Sequence, residues 1–380
     1  MGHELSFVGG KAEMFYVASE GQPWHGHGTP VDQALTAEEA LHASGLAAPV
    51  WSLPVFAQAP DGTMIPIPDR RANVRSDNRD VLEVVSDHYR IIQASEQFSI
   101  LDALTGEAGG LRYHTAGAFG KGERQWILAT LPGAVRIKGT DDVLGKYILA
   151  YNSHNGTSKF RILPTAIRVV CWNTASAALR RGQDDGIAIG HWGDPAAKID
   201  EARRVLGLAS DYFDAFGEGA DLLASISPDT DTVRRYFEAA LPAEDKSEAA
   251  ISKAKRNHLA LIGLFEAGRG QDMKGIKGTL WAAYNAVTEF ADHHSRKASN
   301  RRLRDNWIGT GAATKRHAWD LAIQLATKPH AELMPAVIAP EPDSVYDEPG
   351  GGVTVGGVGT IPVRAPGRRG RPPKVTTGVN

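Results

Sequence analysis

The last residues of the chain include a short run whose composition suits a polyanion. In the run P-G-R-R-G-R-P-P-K, which ends at Lys374, one glycine separates two arginines and two prolines follow. A glycine lets a backbone lie on the floor of a narrow minor groove, and the flanking arginines extend along the groove, where A·T tracts concentrate negative potential. The prolines hold the peptide extended, which lowers the cost of ordering it. We expect this run to bind DNA.

The centre of this run, Arg369-Gly370-Arg371-Pro372, resembles the AT-hook, a short DNA-binding motif. The resemblance implies weak binding with a strong dependence on salt, because one hook makes few phosphate contacts. A basic tail that aids solubility or contacts RNA loosely remains the alternative. The expected DNA contacts are Arg368, Arg369, Gly370, Arg371, Pro372 and Lys374, the first and last of them to phosphates.

A second basic set lies further upstream and includes an aromatic residue. Basic residues interleaved with an aromatic side chain suit single-stranded nucleic acid, because phosphates take the charge and bases stack on the ring. A glycine-rich segment before Lys315 lacks the P-loop spacing, although a helix start there can hold a phosphate. An exposed charged loop is the competing interpretation. The possible nucleic-acid contacts are Arg301, Arg302, Arg304, Trp307, Lys315 and Arg316.

Three further groups have side chains capable of catalysis or metal binding, but none has a convincing pattern. His25 and His27 have no third ligand at a recognised spacing. Asn285, Glu289 and His293 recur every four residues, a stripe that is more typical of a solvated helix face than of acid–base chemistry. His154 falls at a predicted hairpin tip. We therefore expect no catalytic residue, no metal site and no cofactor, and an enzyme is the less favoured class.

The composition is that of an ordinary globular chain with an uneven distribution of charge. Of 42 Lys and Arg residues, five lie in the last 20 residues with no acid among them, which leaves 37 cations against 44 acids elsewhere. An acidic body with a basic tail indicates that the tail meets a polyanion. The single cysteine, the lack of a secretory signal and the lack of a long apolar run predict a protein of a reducing cytoplasm that is not associated with a membrane.

Turn residues and alternating apolar residues predict strands over residues 51–163. Tyr89 to Gln93 has the composition of a strand, and a helix capped by Ser95 follows it. Tyr113 to Phe119 and Arg124 to Leu131 flank a glycine-containing loop, which predicts a hairpin. Tyr147 to Ile162 predicts a second hairpin, with a type I′ turn at Asn155-Gly156.

From residue 164 the apolar spacing changes to a helical period. Ile167, Val170, Cys171, Thr174 and Ala178 predict a helix that ends at Arg180-Arg181-Gly182. Five later helices are predicted, and one earlier, short helix is predicted from Thr36 to Ser44. The later helices are marked by Ile199 to Phe213, Val233 to Leu241, Ile251 to Phe265, a helix capped by Thr279, and Ala312 to Ala326.

These elements predict an α+β fold in which an antiparallel, hairpin-built sheet is followed by helices. The predicted body spans residues 1–330, with strands over 51–163 and helices over 164–330. Residues 331–366 are rich in proline and glycine and cannot bury enough apolar surface to fold, so they are expected to be a disordered linker. The hook-like motif occupies residues 367–375.

Several motifs together resemble the phage/plasmid-like protein family, a domain of unknown function. The resemblance spans roughly residues 1–325 and implies a mobile-element setting, without catalytic residues to carry over. Trp172 stands where the family pattern has glutamine, which weakens any polar role there. The motifs are the opening MGHEL, Pro23 to Gly28, Tyr151 to Thr157, Arg168 to Thr174 and Gly278 to Phe290.

Three functions follow as hypotheses. The first is a non-enzymatic DNA-binding protein of phage or plasmid replication and recombination, such as a single-strand annealing protein. Annealing proteins also combine hairpin strands with a following helix, and they often form homo-oligomers; this analogy rests on fold order alone. The second is an enzyme that acts on nucleic acids or nucleotides. The third is an anti-host protein that acts through protein partners.

Overall fold

A computed structural model of the chain describes residues 5–20, 26–105, 111–168, 173–175, 187–189, 191, 195–295, 302–307, 309–328, 333 and 354–355. The strands are β1 (Phe7–Val8), β2 (Lys11–Ala12), β3 (Met14–Val17), β4 (Thr29–Val31), β5 (Val50–Gln58), β6 (Met64–Arg75), β7 (Val81–Ser86), β8 (Arg112–Phe119), β9 (Arg124–Arg136), β10 (Val143–Ser153), β11 (Phe160–Arg168), β12 (Asn173–Ala175), β13 (Ile187–Ile189) and β14 (Thr354–Val355). The helices are α1 (Ala37–Ala43), α2 (Ala94–Thr105), α3 (Pro195–Ala224), α4 (Thr230–Ala240), α5 (Glu248–Ala267), α6 (Leu280–Glu289), α7 (Arg302–Trp307) and α8 (Thr310–Thr327).

The main sheet is built mostly from antiparallel hairpins, as predicted. Its strand order is β14-β13-β11-β10-β9-β8-β3-β4, and β12 pairs with β11 beside β13. Both predicted hairpins are present, β8 with β9 and β10 with β11. The second turn is longer than the predicted type I′ turn. Gly156 has a φ of +73° and Asn155 is not in the left-handed region; the Asn155 side chain instead accepts from the backbone N–H and the hydroxyl of Thr157.

The prediction of a helix beginning after Pro164 is wrong, because the chain continues there as a strand. Strand β11 continues to Arg168, and residues 173–175 form β12 against it. Thr165 and Ile167 are β-branched and pair with β10, and this pairing overrides a helical period that only a few apolar residues suggested. Residues 160–162 of β11 pair with β13 and residues 166–168 pair with β12. Pro164 lies between these two stretches, so no hydrogen bond to either strand is lost through its missing N–H.

The segment predicted as a strand before α2 is also not a strand. Residues 89–93 form no ladder, and the strand in this region is β7, a few residues earlier. The side chain of Gln93 substitutes for a strand partner, because its amide both accepts from the backbone N–H of Val50 and donates to the Val50 carbonyl. Helix α2 follows as predicted, but it begins at Ala94, so Ser95 lies within its first turn and is not the predicted N-cap.

The helices pack on one face of the main sheet and form the larger core. The helices predicted at residues 36–44, 199–213, 233–241, 251–265 and 312–326 and the helix capped by Thr279 are all present, and the Thr279 hydroxyl accepts from the N–H of Ala282. Core residues come from the sheet (Phe15, Ile127, Phe160) and from the helices, among them Phe216, Trp281 and Trp319. The fold is therefore α+β, with antiparallel sheets followed by helices.

A smaller core covers the other face of the main sheet. Trp126 on β9 is wholly buried there, next to Phe119 and Tyr151, and Trp307 of α7 packs on it edge to face with 6.2 Å between ring centroids. Of the predicted linker, Thr354 and Val355 pair with β13 as a short strand at the sheet edge. None of the helices within the described ranges is long and apolar enough to cross a membrane.

A separate three-stranded sheet, which we call the arm, is made of β5, β6 and β7 in that order. Its root is fixed to the main sheet by Arg75, which donates to both carboxylate oxygens of Glu13, to Asp77 and to the carbonyl of Lys121. Burial opposes the charged form of Arg75, but the carboxylates of Glu13 and Asp77 outweigh it and raise the pKa of Arg75. The distal half of the arm, from Leu53 to Arg70, is largely exposed.

Candidate nucleic-acid interface

The structure describes only part of the two predicted DNA-contacting sets. The hook-like residues Arg368 to Lys374 and Arg301 lie outside the described residues. Arg302 and Arg304 are in α7, but their side chains are not described. Trp307 is half-buried against Trp126, and Arg316 is half-exposed on α8. Helix α7 does lie beside α8, so the described members Trp307 and Arg316 are on neighbouring helices.

Lys315 points into the protein interior. Its ammonium donates to Asp292 Oδ1 at 2.7 Å and to the carbonyl of Asn306 at 2.8 Å, and the side chain is fully buried. Burial lowers the pKa of Lys315, while the nearby Asp292 opposes this shift. In this position Lys315 ties α7, α8 and the end of α6 together, and its ammonium is not presented to a phosphate at the surface.

The polar stripe on α6 is not a solvated face, so that interpretation was wrong. Asn285 and Glu289 are buried, because α6 lies in the centre of the helical layer with neighbours on all sides. A π-helical turn follows at Phe290–His294 and leaves His293 half-exposed. Glu289 accepts from the backbone N–H of Arg269 at 2.9 Å, and Asn285 donates to the carbonyl of Trp281, so both side chains serve the packing of this layer.

The histidines considered as metal ligands do not assemble into a site within the described part of the chain. His25 lies outside it, and His27 packs edge to face on Phe7. No group of three or more His, Cys, Asp or Glu side chains placed to hold a metal ion occurs among the described residues. His154 is at the end of β10 but is fully buried, not exposed at a turn.

An open cleft lies where the arm meets the body. It runs along the outer edge of β5, between residues 50–53 and residues 87–93, and its volume is 810 Å³. We call it the arm cleft. β5 forms the edge of the three-stranded sheet, and the bonds between Gln93 and Val50 close one end of the cleft. The arm cleft is lined by Val50, Trp51, Ser52, Leu53, Asp87, His88, Tyr89, Arg90, Ile91 and Gln93.

The arm cleft combines aromatic rings with positive charge. The guanidinium of Arg79 lies over the Trp51 ring at 4.4 Å from its centroid. Arg71 reaches the lining from β6, donating to both the hydroxyl and the carbonyl of Ser52. No described carboxylate lies within ion-pair distance of Arg71 or Arg79, so their charge is available to an anion. Arg90 lines the cleft too and pairs with Glu96.

Buried polar groups support the floor of the arm cleft. The Tyr89 ring stacks on His191 with 4.4 Å between centroids, and its hydroxyl donates to the carbonyl of Ser153. The two ring nitrogens of His191 bond the carbonyls of Arg90 and Ser158. This network fixes residues 89–91 against the β10–β11 turn, so the cleft wall is preorganised.

His154 lies in the same supporting layer and is fully buried. Its backbone carbonyl accepts from the Asn73 side chain, which ties the arm to β10. Neither ring nitrogen of His154 has a hydrogen-bond partner within the described residues. Burial, with the neighbouring His191 and Arg75, lowers its pKa to about 3, so the ring is neutral at physiological pH.

The residues of the arm cleft were missed by the sequence analysis. Arg70-Arg71 and Trp51 are far apart in sequence, and only the pairing of β5 with β6 brings them together. The available signal was the pair Arg70-Arg71 after a proline-rich apolar run that ends at Asp69. What the cleft provides is binding chemistry: flat aromatic surface, cationic donors and an exposed His88.

Comparison with known proteins identifies one relationship. Residues 81–319 match the family model described as Domain of unknown function (DUF932). The chain belongs to this family. The match begins at β7 and runs to α8, so it includes the 87–93 wall of the arm cleft and leaves β5 and β6 outside. No curated protein and no solved structure matches the chain.

Proposed function

We propose that this family member is a DNA-binding protein that holds single strands in the arm cleft and contacts A·T-rich duplex through its hook-like tail. The observation that supports it is the Arg79 guanidinium over the Trp51 ring in the arm cleft, with Arg71 bonded to the lining residue Ser52; no described carboxylate lies within ion-pair distance of either arginine. Bases stack on aromatic rings while phosphates take the arginine charge. The tail sequence from Arg368 to Lys374 supports the duplex contact independently.

Within this proposal the protein is a non-enzymatic replication or recombination factor of a phage or plasmid, working in the host cytoplasm at the nucleoid. Strand annealing requires surfaces that hold single strands and no catalytic residue, and the arm cleft would supply such a surface while the tail holds duplex. The hairpin-built sheet supports annealing by analogy only.

The proposal is tested by measuring binding of labelled single-stranded, A·T-duplex and G·C-duplex oligonucleotides. The full chain, the variant Arg369→Ala/Arg371→Ala and the variant Arg71→Ala/Arg79→Ala are compared. We expect the tail variant to lose preference for A·T duplex and keep single-strand binding, and the cleft variant to do the reverse. Equal single-strand affinity in the full chain and the cleft variant would contradict the role of the cleft.

A further inference from the structure

His191, which lies behind the arm cleft, contacts two backbone carbonyls at once. Its side chain is buried, with Nδ1 3.0 Å from the carbonyl oxygen of Arg90 and Nε2 3.2 Å from that of Ser158. A carbonyl oxygen only accepts hydrogen bonds, so both ring nitrogens have to donate. A neutral imidazole carries one N–H, and its second nitrogen presents a lone pair. The two contacts together therefore require the doubly protonated, positively charged ring.

No neutral form of the His191 ring satisfies both carbonyls. Turning the ring over places carbon atoms where the nitrogens now lie, and both hydrogen bonds are lost. Either neutral tautomer keeps one bond and sets a lone pair against the other carbonyl oxygen, which loses a hydrogen bond in a buried place. The imidazolium is the form that bonds both Arg90 and Ser158.

The groups around His191 are compatible with a charge on its ring. The Tyr89 ring stacks on it with 4.4 Å between centroids, so the imidazolium lies against an aromatic face. His154, the other buried histidine of this layer, is held neutral. The arginines of the surrounding segments are paired with carboxylates: Arg75 with Glu13 and Asp77, and Arg90 with Glu96. The other titratable side chains of these segments are Asp87, His88 and Lys159.

His191 also fixes the wall of the arm cleft. The backbone N–H of Arg90 donates to the carbonyl of His191 at 2.7 Å, and Nδ1 returns a bond to the Arg90 carbonyl. The bond from Nε2 to Ser158 joins this unit to the β10–β11 turn. Loss of one ring proton breaks one of these bonds, so residues 89–91, which line the cleft, are held to the body less firmly.

We infer that His191 is a protonated positioning residue of the arm cleft, whose second ring N–H holds residues 89–91 in the shape that accepts a single strand. The inference rests on the proposed function for what the cleft binds, and on the two carbonyl contacts for the charge of the ring. Because the fold stabilises the protonated form, the wall is fully held below about pH 6.5 and loosens as the pH rises through the midpoint of His191 in the folded chain.

Nitrogen-15 NMR of the histidine-labelled full chain measures the charge of His191 directly, because protonated and lone-pair ring nitrogens have well-separated chemical shifts. The His191 signals are identified by their absence in His191→Gln. We expect both nitrogens to be protonated at about pH 7.5, where the exposed His88 is mostly neutral. An unprotonated ring nitrogen of His191 at that pH would overturn the inference, whether or not the protein binds DNA.

The effect on the wall is tested by the affinity of the full chain for a labelled oligo-dA strand, whose bases do not titrate on the alkaline side. The affinity is measured at constant salt from about pH 6 to about pH 8.5, with circular dichroism to verify the fold. We expect it to fall about tenfold as His191 loses its proton, since a bond from a charged donor is lost from the competent wall.

Two variants separate His191 from the rest of the cleft. His191→Gln donates one bond in place of two, so it should bind about tenfold more weakly at neutral pH and show no alkaline step. His88→Gln is the matched control, because His88 is 76% exposed in the same cleft, and it should keep the step.

Two outcomes distinguish the positioning role from the proposed function. An affinity that stays constant while NMR shows His191 losing its proton would overturn the positioning role. A natural chain that binds no single strand at any pH would contradict the proposed function, and the NMR measurement would still decide the charge of His191.

Discussion

Arg168 donates from Nε to Asp142 Oδ2 across 2.6 Å, and both side chains are 1% exposed. The same carboxylate oxygen accepts from the indole nitrogen of Trp281 at 2.8 Å. The remaining guanidinium nitrogens donate to the carbonyls of Arg269 and Gly270. One buried ion pair therefore joins β11, the loop before β10 and the helical layer.

Removal of Arg168 should destabilise the whole fold. In Arg168→Ala the Asp142 carboxylate stays buried without its cation, which costs about 3–5 kcal/mol. Urea unfolding followed by circular dichroism measures the change. Arg234→Ala, which breaks an exposed pair with Asp231 on α4, is the control and should leave the midpoint within error. A loss below about 1 kcal/mol for Arg168→Ala would show that the pair is not structurally important.

The stability of the fold should fall as the pH drops from neutrality, because His154 is held neutral. Its pKa is about 3 in the folded chain and 6.5 in an unfolded one. Below pH 6.5 the unfolded state binds the extra proton, so stability is lost at about 1.4 kcal/mol per pH unit, or about 2 kcal/mol by pH 5.

The variant His154→Gln isolates this effect. Its unfolding free energy, compared with the natural chain at pH 7 and pH 5, should lose about 2 kcal/mol less over that range. His88→Gln changes a histidine that is 76% exposed and should keep the natural slope. An undiminished pH dependence in His154→Gln would assign the acid sensitivity to other groups.

Lys315 should matter for stability and not for nucleic-acid binding. Lys315→Ala leaves Asp292 without its nearest cation in the interior, at a cost of about 3–5 kcal/mol. Under conditions where the variant remains folded, the salt dependence of single-strand binding should match that of the natural chain. A shallower slope in the variant would mean that Lys315 reaches the nucleic acid after all.

The arm should become more mobile when the ion pair between Arg75 and Glu13 at its root is weakened. Glu13→Gln weakens both charge-assisted bonds to Arg75, and the arm is then held mainly by Asn73. We expect faster amide hydrogen exchange in β6 and β7, with β9 and β10 unchanged. Asp77→Asn, at a more exposed partner of Arg75, should have a smaller effect. Unchanged hydrogen exchange in Glu13→Gln would show that the Arg75–Glu13 ion pair does not hold the arm to the body.

The sequence predicts elements better than it predicts the burial of polar residues. Thr279 was recognised as a helix cap because capping is a local interaction. The strand through Pro164 and Ile167 was missed. Its stability comes from pairing with β10, and the residues near Ile167 in sequence do not show that pairing. Asn285, Glu289 and Lys315 were expected at the surface from their polarity, yet tertiary packing and buried partners place them inside.

The candidate site was the least predictable part. Trp51 and Arg79 meet because β5, β6 and β7 pair in register, and the wall at residues 87–93 is held by His191, a hundred residues away. A local sequence pattern does not show which of these distant residues come into contact. The hook-like tail is the opposite case, since its chemistry is contained in one short run, and its binding remains a prediction.

The salt dependence of single-strand binding tests the central claim most directly. Each phosphate contact contributes about 0.7 to the slope of log affinity against log salt concentration, so Arg71→Ala/Arg79→Ala should reduce the slope by about 1.4. The control Arg234→Ala/Arg235→Ala, on the exposed face of α4, should leave it unchanged. A cleft variant with the natural slope and affinity would contradict the arm cleft as the place where single strands bind.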